Sequence, residues 1–191
     1  MRIISGSARG RKLEVPTTGT RPSSDRMREA MFSSIDSHLG HIESSWADVN
    51  FVDLFAGSGA IGLEAMSRGA REVTLVENSS KTKGVIEKNA AKCGLEVKVV
   101  KANAYTWIPT SRVNILFLDP PYADSDAILQ GYLAKLVQLH LLDGALVICE
   151  RGARAPSPFA AIPPLTLPFE WERGYGDSKL WYGQVVSSST I

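Results

Sequence analysis

The sequence predicts an α/β protein built on a doubly wound, largely parallel β-sheet. Two observations carry this prediction. Short apolar runs alternate with helix-like segments between residues 49 and 150, and a glycine-rich loop at residues 56–62 follows the first run. Parallel strands are covered by helices on both faces, so they read as continuous apolar runs. The length of 191 residues favours one domain.

The elements can be assigned in chain order. Residues 2–5 and 12–15 read as two short strand-like pieces with a basic, glycine-flanked linker between them, which predicts a hairpin-like arm at residues 1–22. A helix begins at residue 24, capped by Ser23 or Ser24. The main domain covers residues 23–186. Its predicted strands are residues 49–55, 72–77, 97–100, 115–118 and 145–150. Three further helices are predicted: one from the glycine-rich loop to about residue 68, one over residues 79–92 and one over residues 125–139. A terminal hairpin is predicted at residues 169–173 and 179–186, before a flexible tail at residues 187–191.

The glycine-rich loop predicts a site for a nucleoside cofactor. It reads G-x-G-x-x-G, and the next strand ends in Glu77, twenty residues after Gly57. Glycines let a ligand lie against the backbone, and an acid at this position can accept both hydroxyls of a ribose. Asn103 and Ala104 follow the third strand, where an Asn amide could contact an adenine; a turn-forming Asn is the alternative. This pattern alone does not separate a dinucleotide from S-adenosylmethionine.

A second motif closes the buried run at residues 115–118. Asp119, Pro120, Pro121 and Tyr122 follow it, and the prolines end the strand because they lack a backbone N–H. This pattern suits a planar base with an exocyclic amine. Tyr122 can stack on the ring, while the Asp119 carboxylate and the Pro120 carbonyl accept the two amine hydrogens. That arrangement directs the nitrogen lone pair at an electrophile, and the proton can leave through Asp119 or water. The alternative is an acidic strand end before a proline-rich turn.

The charge is distributed unevenly. Residues 1–30 carry a net charge of +4, whereas the whole chain carries +1. A basic arm suits contacts with nucleic-acid phosphates, although a solvated charged surface is the alternative. The candidates for phosphate contact are Arg9, Arg11, Lys12, Arg151 and Arg154.

Other function classes find no support. Cys93 and Cys149 show neither metal-ligand spacing nor a disulfide framework, and three histidines are scattered, so we expect no metal and two reduced thiols. No apolar segment follows Met1 and Arg2, and no run approaches the ~20 apolar residues of a membrane span. We therefore expect a cytoplasmic protein.

The order and spacing of the motifs resemble the class I S-adenosylmethionine-dependent methyltransferases. Within them, the chain is similar to the bacterial ribosomal small-subunit methyltransferase D family, which methylates N2 of a guanine in 16S rRNA. The motifs that carry the resemblance are residues 10–13 (GRKL), 21–29 (RPSSDRMRE), 53–59 (DLFAGSG), Glu77, residues 103–104 (NA), 119–122 (DPPY) and 175–178 (YGDS). Residues 6–9 depart from the family pattern, because a bulkier, often aromatic residue is expected there.

The resemblance implies a Rossmann-like, three-layer sandwich with a mostly parallel seven-stranded sheet and an antiparallel last strand. It implies S-adenosyl-L-methionine as cofactor. The residues it places around the cofactor are Asp53, Phe55, Ala56, Gly57, Ser58 and Gly59 on the methionine side, Glu77 and Asn78 at the ribose, and Asn103 and Ala104 at the adenine. It places Arg21, Ser23 and Asp25 over the cofactor and target, and it gives the amine to Asp119, Pro120, Pro121 and Tyr122.

We therefore expect a monomeric enzyme that methylates N2 of a guanine in 16S rRNA, on ribosomal RNA or on the assembling small ribosomal subunit. DNA is a possible substrate, because DNA amino-methyltransferases acting on adenine N6 or cytosine N4 share the acid-proline-proline-aromatic motif. A nicotinamide-dependent oxidoreductase shares the glycine loop but leaves the second motif unexplained. A non-catalytic RNA-binding module would need only the basic arm.

Overall fold

The computed structural model describes residues 1–16, 24–121, 124–159 and 170–186. The chain divides into two compact units, Met1–Ala102 and Asn103–Ile191. The described strands form a seven-stranded sheet, and the strand pairings described below are parallel in three cases and antiparallel in two. The mostly parallel, seven-stranded sheet that the family resemblance implies is therefore confirmed.

The first unit holds three parallel strands, β1 (Asn50–Asp53), β2 (Glu72–Glu77) and β3 (Lys98–Lys101), in the order β3-β2-β1. A helix connects β1 to β2 and another connects β2 to β3, which is the connection that the alternating pattern predicts. The elements are α1 (Asp25–His41), a short 3-10 helix (Trp46–Asp48), β1 (Asn50–Asp53), α2 (Ala60–Ser67), β2 (Glu72–Glu77), α3 (Ser80–Cys93) and β3 (Lys98–Lys101).

The second unit holds four strands in the order β4-β5-β7-β6. β4 and β5 are parallel, whereas β7 runs antiparallel to both β5 and β6. The predicted terminal hairpin therefore exists, and its second strand joins the sheet. The elements are β4 (Ile115–Leu118), α4 (Asp126–Gln138), β5 (Leu146–Gly152), β6 (Glu170–Tyr175) and β7 (Ser178–Gln184).

The helix ends follow ordinary capping chemistry. The hydroxyl of Ser24 accepts a hydrogen bond from the Met27 N–H at 3.1 Å, and Ser79 does the same for the Thr82 N–H at 3.3 Å. Gly94 ends α3 in the left-handed conformation, with φ of 67°. These side chains are readable from the sequence, so the observed helix bounds lie within a residue or two of the predicted ones.

The N-terminal arm, of which residues 1–16 are described, folds as a hairpin onto the first unit. Its two pieces meet in one antiparallel bridge, Arg2 with Lys12, and the Ile3 N–H donates to the Arg11 carbonyl at 3.0 Å. The side chains of Ile3 and Leu13 are buried. The arm therefore contributes to the hydrophobic core.

Polar side chains of α2 anchor the arm. The fully buried carboxylate of Glu64 accepts the N–H of Ile4 at 2.7 Å and the N–H of Ser5 at 2.9 Å. Gly6 passes so close that an added Cβ would lie 1.8 Å from the Ser67 carbonyl oxygen. Only glycine fits that approach.

Candidate active site

The glycine-rich loop connects β1 to α2 in a shape that requires glycine. Gly57 and Gly59 have φ of 52° and 79°, in the left-handed region. A Cβ on Gly59 would also lie 2.9 Å from Cγ2 of Ile86. The third glycine, Gly62, serves the packing of the helix instead. A Cβ there would lie 2.1 Å from Cδ2 of Leu75, so the glycine allows α2 to pack closely on β2.

Glu77 lies at the carboxyl end of β2, beside this loop. One carboxylate oxygen accepts the Gly57 N–H at 3.1 Å and the other accepts the Ser79 N–H at 2.8 Å. The two bonds fix the orientation of the carboxylate. Each oxygen of an ionised carboxylate has about two acceptor positions, so both oxygens retain capacity for a further donor such as a ribose hydroxyl.

Asp53 ends β1 below the loop and is buried, with 1% of its surface exposed. Burial raises the pKa of its carboxyl group to about 7, and the negative charge of Glu77 contributes to this rise, whereas the hydrogen bond from the Phe55 N–H acts in the opposite direction. Asp53 therefore titrates near neutral pH, and a cationic ligand group placed close to it would favour the ionised form.

This raised pKa predicts how stability depends on pH. The carboxyl group of Asp53 ionises near its ordinary pKa of 3.8 in the unfolded chain and near 7 in the folded protein, so it lowers stability progressively as the pH rises between these values. We expect the advantage of Asp53→Asn over the wild-type protein in unfolding free energy to grow by at most ~1.4 kcal/mol per pH unit over that interval. Urea unfolding at a series of pH values measures this difference.

The control is Asp25→Asn. The hydrogen bond from Arg28 lowers the pKa of Asp25, so this carboxylate stabilises the fold once it is ionised, and its replacement should have the opposite sign. Wild-type and Asp53→Asn stability curves that run parallel between pH 4 and 7 would show that Asp53 titrates normally.

The second predicted motif lies at the carboxyl end of β4 in the second unit. All four residues of β4 are buried, and Asp119 follows as a partly buried side chain, with Pro120 buried and Pro121 exposed. The chain then turns, because the Asp124 N–H donates to the Pro121 carbonyl at 3.0 Å. The structure thus has the predicted strand end with an acid and a proline carbonyl at its tip.

The loop after β3 is tied to this turn. Asn103 forms a turn of its own, since its side-chain oxygen accepts the Tyr105 N–H at 2.9 Å. The Tyr105 hydroxyl donates to the Asp124 carboxylate at 2.7 Å, and burial together with this interaction raises the pKa of Tyr105. Ala104 between them is buried. The sequence does not single out Tyr105, because nothing local indicates its partner 19 residues away.

The predicted phosphate contacts fall into two groups. The side chains of Arg9, Arg11, Lys12 and Arg154 are exposed. Arg151 differs from that expectation: it lies within β5 rather than in a loop, is 8% exposed, and donates to the Asp126 carboxylate. Its guanidinium is therefore committed to an ion pair in this structure.

The remaining predicted site residues lie at several places in the fold. Asp25 is half exposed and pairs with the buried Arg28 at 2.7 Å. Ala56 and Ser58 are buried in the glycine loop, and Asn78 is exposed after Glu77. Arg21, Ser23 and Tyr122 lie outside the described residues, as does the predicted tail at residues 187–191.

The described part of the chain contains no group of three or more His, Cys, Asp or Glu side chains placed to hold a metal ion. No helix in the same ranges is both long and apolar enough to cross a membrane. Cys93 is a partly buried free thiol, and Cys149 is a buried one.

Comparison with known proteins places this fold and loop in a family. A family model described as conserved hypothetical protein 95 matches residues 1–183. Ribosomal RNA small subunit methyltransferase D of Escherichia coli K12 is 35% identical over 181 residues, which cover 90% of this chain and 81% of the relative.

Solved structures of methyltransferases are similar to this chain as well. A putative methyltransferase from Escherichia coli, yhhF, is 32% identical with a TM-score of 0.79, over 98% of this chain and 99% of that one. An RNA methyltransferase from Salinibacter ruber in complex with S-adenosyl-L-homocysteine is 16% identical with a TM-score of 0.61, over 87% of this chain and 94% of that one, and shares the fold.

The sheet and its glycine loop are those of a class I S-adenosylmethionine-dependent methyltransferase with a Rossmann-like fold, as the sequence predicts. Within that class, the matches along almost the whole chain show more. The chain belongs to the ribosomal RNA small subunit methyltransferase D family.

Proposed function

We propose that this chain transfers the methyl group of S-adenosyl-L-methionine to the exocyclic N2 amine of a guanine in 16S rRNA of the small ribosomal subunit. Family membership supports methylation of small-subunit rRNA. The observation that carries the choice of an amine is the strand end itself: buried β4 stops at Asp119, and buried Pro120 follows it. A carboxylate and an adjacent carbonyl are the acceptors that the two hydrogens of an exocyclic amine need.

The first unit fits the cofactor. Gly57 and Gly59 carry no Cβ that would keep a ligand away from the loop backbone. Two backbone N–H groups orient the Glu77 carboxylate, which accepts the ribose hydroxyls. Asp53, with its raised pKa, ionises beside the cationic methionine portion. The cofactor supplies a methyl group already activated by its sulfonium, so the protein needs only to hold and orient the reactants.

The acid-proline-proline-aromatic motif at residues 119–122 supplies the groups for the amine. The Asp119 carboxylate and the Pro120 carbonyl accept the two N–H hydrogens, and Tyr122 stacks on the base. These contacts direct the nitrogen lone pair toward the methyl carbon. As the new C–N bond forms and the C–S bond breaks, one amine proton leaves to Asp119 or to water.

The RNA is held by its phosphates and by its extruded base. The exposed cations on the arm, Arg9, Arg11 and Lys12, together with Arg154, contact the backbone, and the target guanine leaves its stack to reach the strand end. The partner is ribosomal RNA or the assembling small subunit, and the enzyme acts as a monomer.

Substrate mapping tests the proposal. The protein is incubated with a methyl-labelled cofactor and, separately, with small subunits, naked 16S rRNA and duplex DNA, and the modified nucleotide is identified by mass spectrometry. We expect label on N2 of a single guanine of 16S rRNA. Label on adenine or cytosine amines of DNA, with none in rRNA, would show a DNA amino-methyltransferase instead.

A further inference from the structure

We propose that Asn89 is a positioning residue that joins the N-terminal arm to the glycine loop, so that the docking of the arm determines how well the loop binds the cofactor. This inference rests on the proposed function, because it takes the loop as the cofactor site and the arm as an RNA contact. Asn89 belongs to α3 and does not touch the reacting groups that we assign.

The side chain of Asn89 forms hydrogen bonds with both the arm and the glycine loop. Toward the arm, its side-chain oxygen accepts the Glu14 N–H at 2.8 Å, and its amide nitrogen donates to the Glu14 carbonyl at 2.9 Å. Toward the loop, the same amide nitrogen donates to the Ser58 carbonyl at 3.0 Å. The side chain is fully buried, with 0% of its surface exposed, so water does not compete for these bonds.

The bond to Ser58 restrains the glycine loop between Gly57 and Gly59, both of which have a positive φ. It acts on the peptide plane between Ser58 and Gly59, whose N–H donates to the Ala56 carbonyl at 2.6 Å. The Asn89 bond therefore adds a second restraint to that plane, on its carbonyl side. The Ser58 hydroxyl also contacts the sulfur of Met1 at 3.5 Å, a second link between the arm and the loop.

The link gives the arm an influence on the cofactor site. Arg11 and Lys12 are exposed and lie two to three positions before Glu14. RNA phosphates bound there would hold the arm in its docked position, and through Asn89 they would hold the Ser58 carbonyl. Coupling between two binding sites is reciprocal, so RNA and cofactor should each strengthen the binding of the other by the same factor.

The test compares two variants that loosen the arm, only one of which reaches the loop. In Ser67→Ala the arm loses two bonds, because the Ser67 hydroxyl accepts the Ala8 N–H at 3.0 Å and donates to the Ser5 carbonyl at 2.6 Å. Asn89→Ala loses two arm bonds and the bond to Ser58. We expect both variants to lower the melting temperature and Asn89→Ala to raise the Kd for S-adenosylmethionine by ~10-fold in calorimetric titration, clearly more than Ser67→Ala, in which the Asn89 bonds between the arm and Ser58 remain.

The coupling is tested with the same proteins. A short single-stranded RNA should lower the cofactor Kd of the wild-type protein and leave that of Asn89→Ala unchanged. Equal cofactor Kd values for Asn89→Ala and Ser67→Ala would overturn the proposal. If Asn89→Ala does not fold, Asn89→Leu replaces it, since leucine has nearly the same shape but lacks the amide that bonds to the Glu14 and Ser58 carbonyls.

The readout also separates the two proposals. Cofactor titration requires no RNA methylation, so the Kd difference can hold even if the substrate proves to be another nucleic acid. A wild-type protein that does not bind S-adenosylmethionine would overturn the proposed function, and this inference with it.

Discussion

Replacing Asp119 with alanine is expected to abolish methyl transfer, with a loss of ~10³-fold or more in the single-turnover rate, while the cofactor Kd changes little. The carboxylate is one of the two acceptors that we assign to the amine hydrogens, and it can also receive the departing proton. Asp119→Asn should retain part of the activity, because its side-chain carbonyl still accepts one hydrogen but takes up no proton.

Single-turnover rates are measured with the enzyme and the labelled cofactor both in excess of RNA, and cofactor binding is measured by calorimetric titration. Asp143→Asn is the matched control, since it makes the same substitution in the loop before β5 rather than at a carboxyl strand end. Circular dichroism verifies the fold of each variant. An unimpaired rate in Asp119→Ala would end the mechanism proposed here.

Replacing Glu77 with alanine is expected to weaken cofactor binding ~100-fold, because hydrogen bonds to charged groups contribute ~1.5–3 kcal/mol each and the ribose would lose both acceptors. The loop would also lose the bond from the Gly57 N–H that now ends on this carboxylate. Glu77→Gln keeps one acceptor oxygen and should show an intermediate loss. The Kd for S-adenosylmethionine, from calorimetric titration, measures both effects.

The control for Glu77 is Glu72→Gln, which removes the same charge at the opposite end of β2. It should leave the Kd unchanged. A Glu77→Ala protein that binds the cofactor as tightly as the wild type would show that another group holds the ribose.

Glu77→Gln should also lower the pKa of Asp53, since the negative charge of Glu77 contributes to raising it.

Local sequence is sufficient where the structural signal is itself local. The predicted bounds of Ile115–Leu118 are both correct, because the apolar run ends at an acid and two prolines. Ser24 and Ser79 mark two helix starts for the same reason, since a capping side chain bonds within three residues of itself. The glycine loop and Glu77 can be placed together because parallel strands align their carboxyl ends.

Pairing between distant segments cannot be read in this way. The sequence predicts that the fifth strand ends at residue 150, before a loop at Arg151 and Gly152, yet β5 continues to Gly152, which pairs with Ser178. Ser178 lies 26 residues further along the chain than Gly152. Pairing with β7 therefore extends β5 through Arg151 and Gly152. Burial of Arg151 follows from that pairing and from its ion pair with Asp126.

The anchoring of the arm is hidden for a related reason. Glu64 and Asn89 appear in the sequence as single polar residues within helical segments, which ordinarily face solvent. Both are fully buried, and their partners lie 60 and 75 residues away in the arm. A buried polar side chain requires a partner, but the sequence does not say which one.

These long separations bear on how the protein is synthesised. The arm leaves the ribosome before the side chains that receive it, which emerge 59 to 75 residues later. At translation rates of ~5–20 residues per second, the arm waits ~3–15 s before it can dock. During that interval Ile3 and Leu13 are exposed to solvent, so proteases and chaperones can reach apolar side chains that are buried in the folded protein.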